Sequence, residues 1–303
     1  MKAQSRALLW LVASALMFGA MAFTAKLSSA RLSGPQVAMI RFAVGLAPVL
    51  LIPRIRRTAL NYQRLDLLLI RGFFGGVAVL FYFICIQHSS VGVATLLNYT
   101  APIYSGLFSM IFIGERFSAK VLIPMPIALT GVFLVVHAHA HPGEVLGFSR
   151  WELIGALSAV CSGAAVTAIR AARRGESSWS IYGSFCLLGL LTTMPQGLMS
   201  WRNPSVDEWW SLAAMSLLAI GAQLTMTFSL RWVDAMTVGV ISQLAVLVSM
   251  VLGALFINEP ITTMAAIGAA LSIGGVAGVT FVQASGARTS RPQSAGVPPG
   301  DFG

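Results

Sequence analysis

Glu115 and Glu259 close two copies of one phrase: Phe112-Ile113-Gly114-Glu115 returns as Phe256-Ile257-Asn258-Glu259, 144 residues further on. A carboxylate ending an apolar run offers two kinds of chemistry. It can exchange a proton or cation as part of a charge relay, or it can sit at the N-terminus of the following helix and stabilise that helix's dipole by about 0.3–1 kcal/mol. Pro260 suits a first helical turn and favours capping for Glu259. Relay carboxylates normally lie deeper in a bilayer. Arg41 is the third charge-coupling candidate, because it stands inside an apolar run. There a guanidinium binds a solute carboxylate or pairs with an acid, unless it is close enough to the helix end to snorkel to the interface.

Uncharged polar residues within apolar runs form a second set. They are Tyr82 and Gln87, then Asn98, Tyr99 and Tyr104, then Ser158 and Ser162, then Gln223, and last Ser242 and Gln243. A buried amide or hydroxyl costs free energy unless it is bonded, so each must face a partner helix or a polar cavity able to bind a solute. Interhelical hydrogen bonding is the competing reading for every one of them. The 144-residue offset makes Asn98 the mate of Ser242 and Tyr99 the mate of Gln243. His137, His139 and His141 alternate in a short tract of the kind that can bind a divalent metal. With only Glu144 beside them the expectation is a solvated loop, with neither a resident metal nor a cofactor.

These side chains need elements to hold them, and composition says which kind. The chain of 303 residues is 56% hydrophobic and 10% charged, whereas soluble domains carry roughly 25% charged residues. Its apolar surface must therefore face a lipid bilayer. The net charge of +10 does not indicate nucleic acid, because the basic residues lie between apolar runs rather than on one soluble face. Cys85, Cys161 and Cys186 sit inside apolar runs without paired spacing, as small packing residues do.

Ten runs are long enough to cross the hydrocarbon core, at approximately 7–25, 35–53, 67–87, 91–113, 121–137, 153–169, 181–200, 209–230, 235–257 and 264–282. Their continuity favours a helical bundle over a barrel. Lys2 and Arg6 before the first run, with Ala20-Met21-Ala22 after it, imitate a signal peptide. The run nevertheless matches the stretch around Ser158 to Gly163 under the offset and so belongs to the repeat. Basic residues such as Arg54, Arg56, Arg57, Arg71, Arg173 and Arg174 collect on one side, while the other keeps Lys26, Arg31, Arg150 and Arg202. The positive-inside rule then places both termini in the cytoplasm. Five spans per repeat is an odd number, so the second copy enters the membrane inverted. The expected fold class is an all-α membrane protein of ten transmembrane helices in two inverted five-helix repeats, N-in/C-in. Its divisions are 1–139, 140–283 and a disordered tail at 284–303.

Val91-Gly-Val-Ala-Thr-Leu-Leu, Ala101-Pro102 and Ile113-Gly114-Glu115-Arg116-Phe117-Ser118 resemble the EamA repeat of the drug/metabolite transporter superfamily. Ala235-Met-Thr-Val-Gly-Val-Ile through Asn258-Glu259-Pro260-Ile261-Thr262 is similar to its second copy. One departure is Val246, which stands where the first copy has Pro102, so the two halves are expected to bend differently. The resemblance implies a central cavity between the repeats and an inner-membrane secondary transporter working by alternating access. The cargo it implies is a small amino-acid-like or zwitterionic metabolite, exported, with amino-acid-derived metallophores among the options. Some members instead import riboflavin or S-adenosylmethionine. A membrane-embedded enzyme is the distant alternative, disfavoured because no HExxH, P-loop or carboxylate–histidine cluster is present. The expected partners are a small-molecule substrate and the bilayer, without nucleic acid. Small residues such as Gly268, Gly275 and Gly278 in the last segment leave a homodimer open.

Overall fold

A computed structural model of the protein describes residues 2–113, 120, 123–138, 149–172, 175–229 and 235–289. Among these residues the regular structure is thirteen helices and no strand, as a chain buried in lipid requires when each segment must satisfy its own backbone. The first half holds α1 (Lys2–Ser28), α2 (Gly34–Leu51), α3 (Pro53–Ala59), α4 (Leu65–His88), α5 (Val91–Asn98), α6 (Ala101–Ile113) and α7 (Pro124–His137). The second holds α8 (Arg150–Ala172), α9 (Ser178–Met199), α10 (Val206–Ser229), α11 (Ala235–Ser242), α12 (Leu244–Ile257) and α13 (Thr263–Thr289). Six stretches are long and apolar enough to cross a membrane: Arg6–Ser28, Gly34–Leu51, Leu65–His88, Arg150–Ala172, Val206–Met226 and Val240–Ile257. Pro124–His137 and Thr263–Val279 are shorter apolar helices. The last helix reaches Thr289, so the first residues of the expected tail at 284–303 are helical.

Local sequence explains several helix starts. Ser33 accepts a hydrogen bond from the Gln36 amide at the start of α2, and Ser177 accepts one from the Ser180 amide at the start of α9. These serines are mates under the 144-residue offset, so one capping device was copied with its helix.

The packing obeys the same exchange. α1 lies on α10 and α12, and its mate α8 lies on α4 and α6; α2 lies on α9, and α7 lies on α13. Glycines allow the closest approaches. A Cβ on Gly131 would stand 2.3 Å from the Ser272 amide nitrogen, and one on Gly275 would stand 2.4 Å from the Ala128 amide nitrogen. Adding 144 to Gly131 and Ala128 gives Gly275 and Ser272, so the two contacts are one contact seen twice. A Cβ on Gly19 would meet Val248, and one on Gly163 would meet Tyr104, again mates. Gly268, Gly275 and Gly278 of α13 all meet first-half residues, while Gly274 is exposed with nothing within 4 Å.

The two runs at 91–113 and 235–257 are each broken. α5 stops at Asn98 and α6 begins at Ala101, while α11 stops at Ser242 and α12 begins at Leu244. Pro102 accounts for the first break, since it has no N–H to give the Asn98 carbonyl four residues back. The second breaks without a proline, at Gln243, the mate of Tyr99.

Candidate functional site

The two breaks meet. Gln243, 3% exposed, donates from Nε2 to the Tyr99 carbonyl at 3.2 Å, so an amide from one repeat bonds the backbone that the other repeat leaves open. Beside it, Asn98 Oδ1 accepts from Ser158 Oγ at 3.1 Å and from Ser162 Oγ at 2.9 Å. Five of the sequence candidates therefore gather around the first break: Asn98, Tyr99, Ser158, Ser162 and Gln243. Their amides and hydroxyls, at a point where two helices expose backbone, provide polar groups inside an apolar bundle.

Tyr82 is buried, with Oη 2.9 Å from Thr95 Oγ1. Gln87 Oε1 accepts from the Gly34 amide at 2.7 Å, which ties the end of α4 to the start of α2 rather than reaching the helix breaks. Tyr104 is half-buried where α6 passes Gly163 of α8. Gln223 on α10 and Ser242 at the end of α11 are half-buried. His137 is exposed and stacks on Phe133 at 5.7 Å. His139, His141 and Glu115 lie outside the described residues. Among the described residues no three His, Cys, Asp or Glu side chains are grouped to hold a metal.

Glu259 is a cap, but of a different helix from the one its sequence position suggests. Its Oε1 and Oε2 accept from the Val91 amide at 2.9 and 3.1 Å, so it seals the N-terminus of α5 in the other repeat. The following helix, α13, is capped instead by Thr262, whose Oγ1 accepts from the Ala265 amide at 3.1 Å. Asn258, in the left-handed region at φ 52°, turns the chain after α12 and so carries Glu259 away from α13. Lys26 completes the junction by donating from Nζ to the Ile86 and Ser89 carbonyls, at 2.9 and 2.5 Å. A cation thus sits at the C-terminus of α4 and an anion at the N-terminus of α5, each complementing a helix dipole.

Arg41 does not snorkel. It is 7% exposed, and its guanidinium lies 5.3 Å from the Phe42 ring, 5.9 Å from Phe83 and 5.7 Å from Phe185. Arg71, counted from sequence with the basic residues of the cytoplasmic side, is 6% exposed inside the bundle, 4.0 Å from the same Phe185 ring. The available sequence signal was the run Gly72, Gly75 and Gly76. A Cβ on Gly75 would stand 2.0 Å from Arg71 Nη1, and Gly72 and Gly76 bring α9 against α4. The glycines make room for the charge that charge counting had assigned to the interface. Arg41 lines a pocket together with Phe42, Tyr182, Phe185, Cys186, Ala219 and Ile220.

The sequence profile of the EamA-like transporter family matches residues 5–137 and again residues 149–281. Subtracting 5 from 149, or 137 from 281, gives 144, the spacing of the two glutamate phrases. The pseudopaline exporter CntI of Pseudomonas aeruginosa PAO1 is 26% identical over 252 residues, which cover 82% of this chain and 86% of that protein. Its namesake in strain UCBPP-PA14 is 26% identical over 249 residues with the same coverage. An uncharacterized transporter of Archaeoglobus fulgidus is 26% identical over 204 residues, 67% of this chain and 72% of its own length. A solved crystal structure covering 95% of this chain and 99% of its own shares the fold, with a TM-score of 0.62 at 21% identity. A match over both halves, in the register of the internal repeat and on a membrane bundle, is decisive: the chain belongs to the EamA-like transporter family.

Proposed function

We propose that the protein is an inner-membrane secondary exporter of a small amino-acid-like or zwitterionic metabolite, a class that includes amino-acid-derived metallophores. The observation that carries this reading is the similarity, over four-fifths of the chain, to two proteins named as pseudopaline exporters. In this reading ten spans cross the membrane, with α5–α6 and α11–α12 each forming one broken span. The repeats at 1–139 and 140–283 are inverted, with both termini in the cytoplasm. Broken helices at a repeat interface are where secondary transporters place their substrate, because the freed backbone groups and helix ends offer polar contacts at membrane depth. Asn98, Ser158, Ser162 and Gln243 supply those contacts here, and Tyr99, Tyr104, Gln223 and Ser242 border them. Alternating access follows from one repeat rocking against the other.

The test compares metabolites inside and outside cells that carry or lack the protein. An exported metabolite accumulates inside when the protein is absent and falls again when it is restored. An unchanged distribution of every metabolite, or uptake of an external compound by the intact protein, defeats the export reading.

A further inference from the structure

We propose that Arg41 and Arg71 form one anion subsite, which takes the end of the transported solute bearing two carboxylates. The assignment rests on the export reading above and names the chemistry of the cargo.

The two guanidiniums belong to α2 and α4 and converge on one ring, Phe185 of α9, at 5.7 and 4.0 Å. Arginine keeps its charge in any protein environment, so two positive charges persist inside an apolar bundle. Among the described residues no carboxylate pairs with either. Nε and Nη1 of Arg41 and Nε of Arg71 are buried without a hydrogen-bond partner. The salt bridges among the described residues are Arg31–Glu208 and Arg64–Asp66. α9 carries no charged residue and α2 only Arg41, while Asp66 of α4 and Asp207 and Glu208 of α10 stand in first turns. Burying an unpaired charge costs several kcal/mol in real proteins, and two like charges add repulsion. The aromatic faces offset part of this. A dianion offsets the remainder, and planar guanidinium forks match carboxylates bidentately.

The cavity beside Arg41 has a volume of about 10 Å³, room for roughly one water molecule, so an acid group enters it only as the two repeats rock apart. Its apolar lining includes Phe42, Tyr182, Phe185, Ala219 and Ile220, which desolvates an acid group and strengthens its pairing. Gly75 leaves room for Arg71, and Gly45 leaves room for the Tyr182 hydroxyl. The charges also break the repeat: under the 144-residue offset the mates of Arg41 and Arg71 are Phe185 and Met215. A structural device inherited from the duplication would have left a charge in both halves, as it did with the two glutamates.

The experiment follows the thermal midpoint of the purified protein in phosphatidylcholine nanodiscs, titrated with succinate, glutarate, acetate and inorganic phosphate. Succinate or glutarate should raise the midpoint saturably, at a concentration at least ten-fold below that needed for acetate. R41M and R71M should each weaken this response at least ten-fold while leaving the ligand-free midpoint unchanged or higher. A wild-type protein indifferent to both dicarboxylates, or one that answers acetate equally, overturns the assignment without any variant. So does a dicarboxylate response retained by both variants. A stronger response to phosphate, or a succinate response lost when phosphatidylglycerol is added, identifies a phosphate group as the occupant and also overturns it. Binding is read without transport, so dicarboxylate binding with no metabolite difference in cells removes the export reading alone. Export with no dicarboxylate binding removes the subsite alone.

Discussion

At the α4–α5 junction every charge meets its complement, with Lys26 on two carbonyls and Glu259 on an amide. Around Phe185, two arginines are buried against aromatic rings, with Nε and Nη1 of Arg41 and Nε of Arg71 lacking a hydrogen-bond partner among the described residues. Both regions lie within the same bundle and both hold charges near helices, yet one is closed and the other open. The difference separates holding from binding. A charge satisfied by the protein's own backbone has already used its interaction energy to fix the fold. A charge left unsatisfied keeps that energy for something that arrives.

The comparison can be tested from both sides. The largest expected effect is on the open region: R41M combined with R71M should cut export by roughly 30-fold or more, the loss of a buried charge contact worth about 2–5 kcal/mol, with no fall in thermal stability. Cellular export and a melting curve on the same protein check it, and a large fall in stability would move the arginines into the structural class. Next comes the closed region. E259A strips the Val91 amide of its acceptor and should cost about 2–3 kcal/mol, whereas E259Q, which keeps an oxygen acceptor, should recover about half; chemical denaturation in detergent reads both. A Cβ at Gly131 or Gly275 presses on backbone across α7 and α13, so G131A and G275A should each cost about 1–3 kcal/mol, and near-equal losses would support the two-fold exchange of their contacts. Of the variants that lose stability, N98A loses least, about 0.6–1 kcal/mol, because hydrogen bonds between membrane helices are weak on average. Its export should fall more than its stability does, which assays of the two at matched expression can separate.

The duplication and the helical class were legible because a repeated phrase and continuous apolar runs survive in the text of the chain. The helix breaks were not. Residues 91–113 and 235–257 read as unbroken runs, and only Pro102 hinted at a break; the second depends on Gln243 finding a carbonyl 144 residues away. The cluster of Asn98 with Ser158 and Ser162 was named residue by residue, but its assembly needed the packing of α8 on the first break. Arg71 was missed because counting positive charges near a helix end assumes that long side chains turn toward water. The glycines on its own helix let it turn inward. Glu259 was recognised as a cap but assigned to its neighbour in sequence, since local reasoning has no means of choosing a helix end 168 residues away.

The stacking of Arg41 on Phe185 joins a residue to its own counterpart, because 185 less 41 is again 144. Two counterparts can touch only where the relation exchanging the halves leaves a point in place, as the centre of a seesaw stays still while its arms trade height. An acid group bound there would travel little while the path to one side of the membrane closed and the other opened. The cargo would be released because the surroundings changed places around a nearly stationary charge.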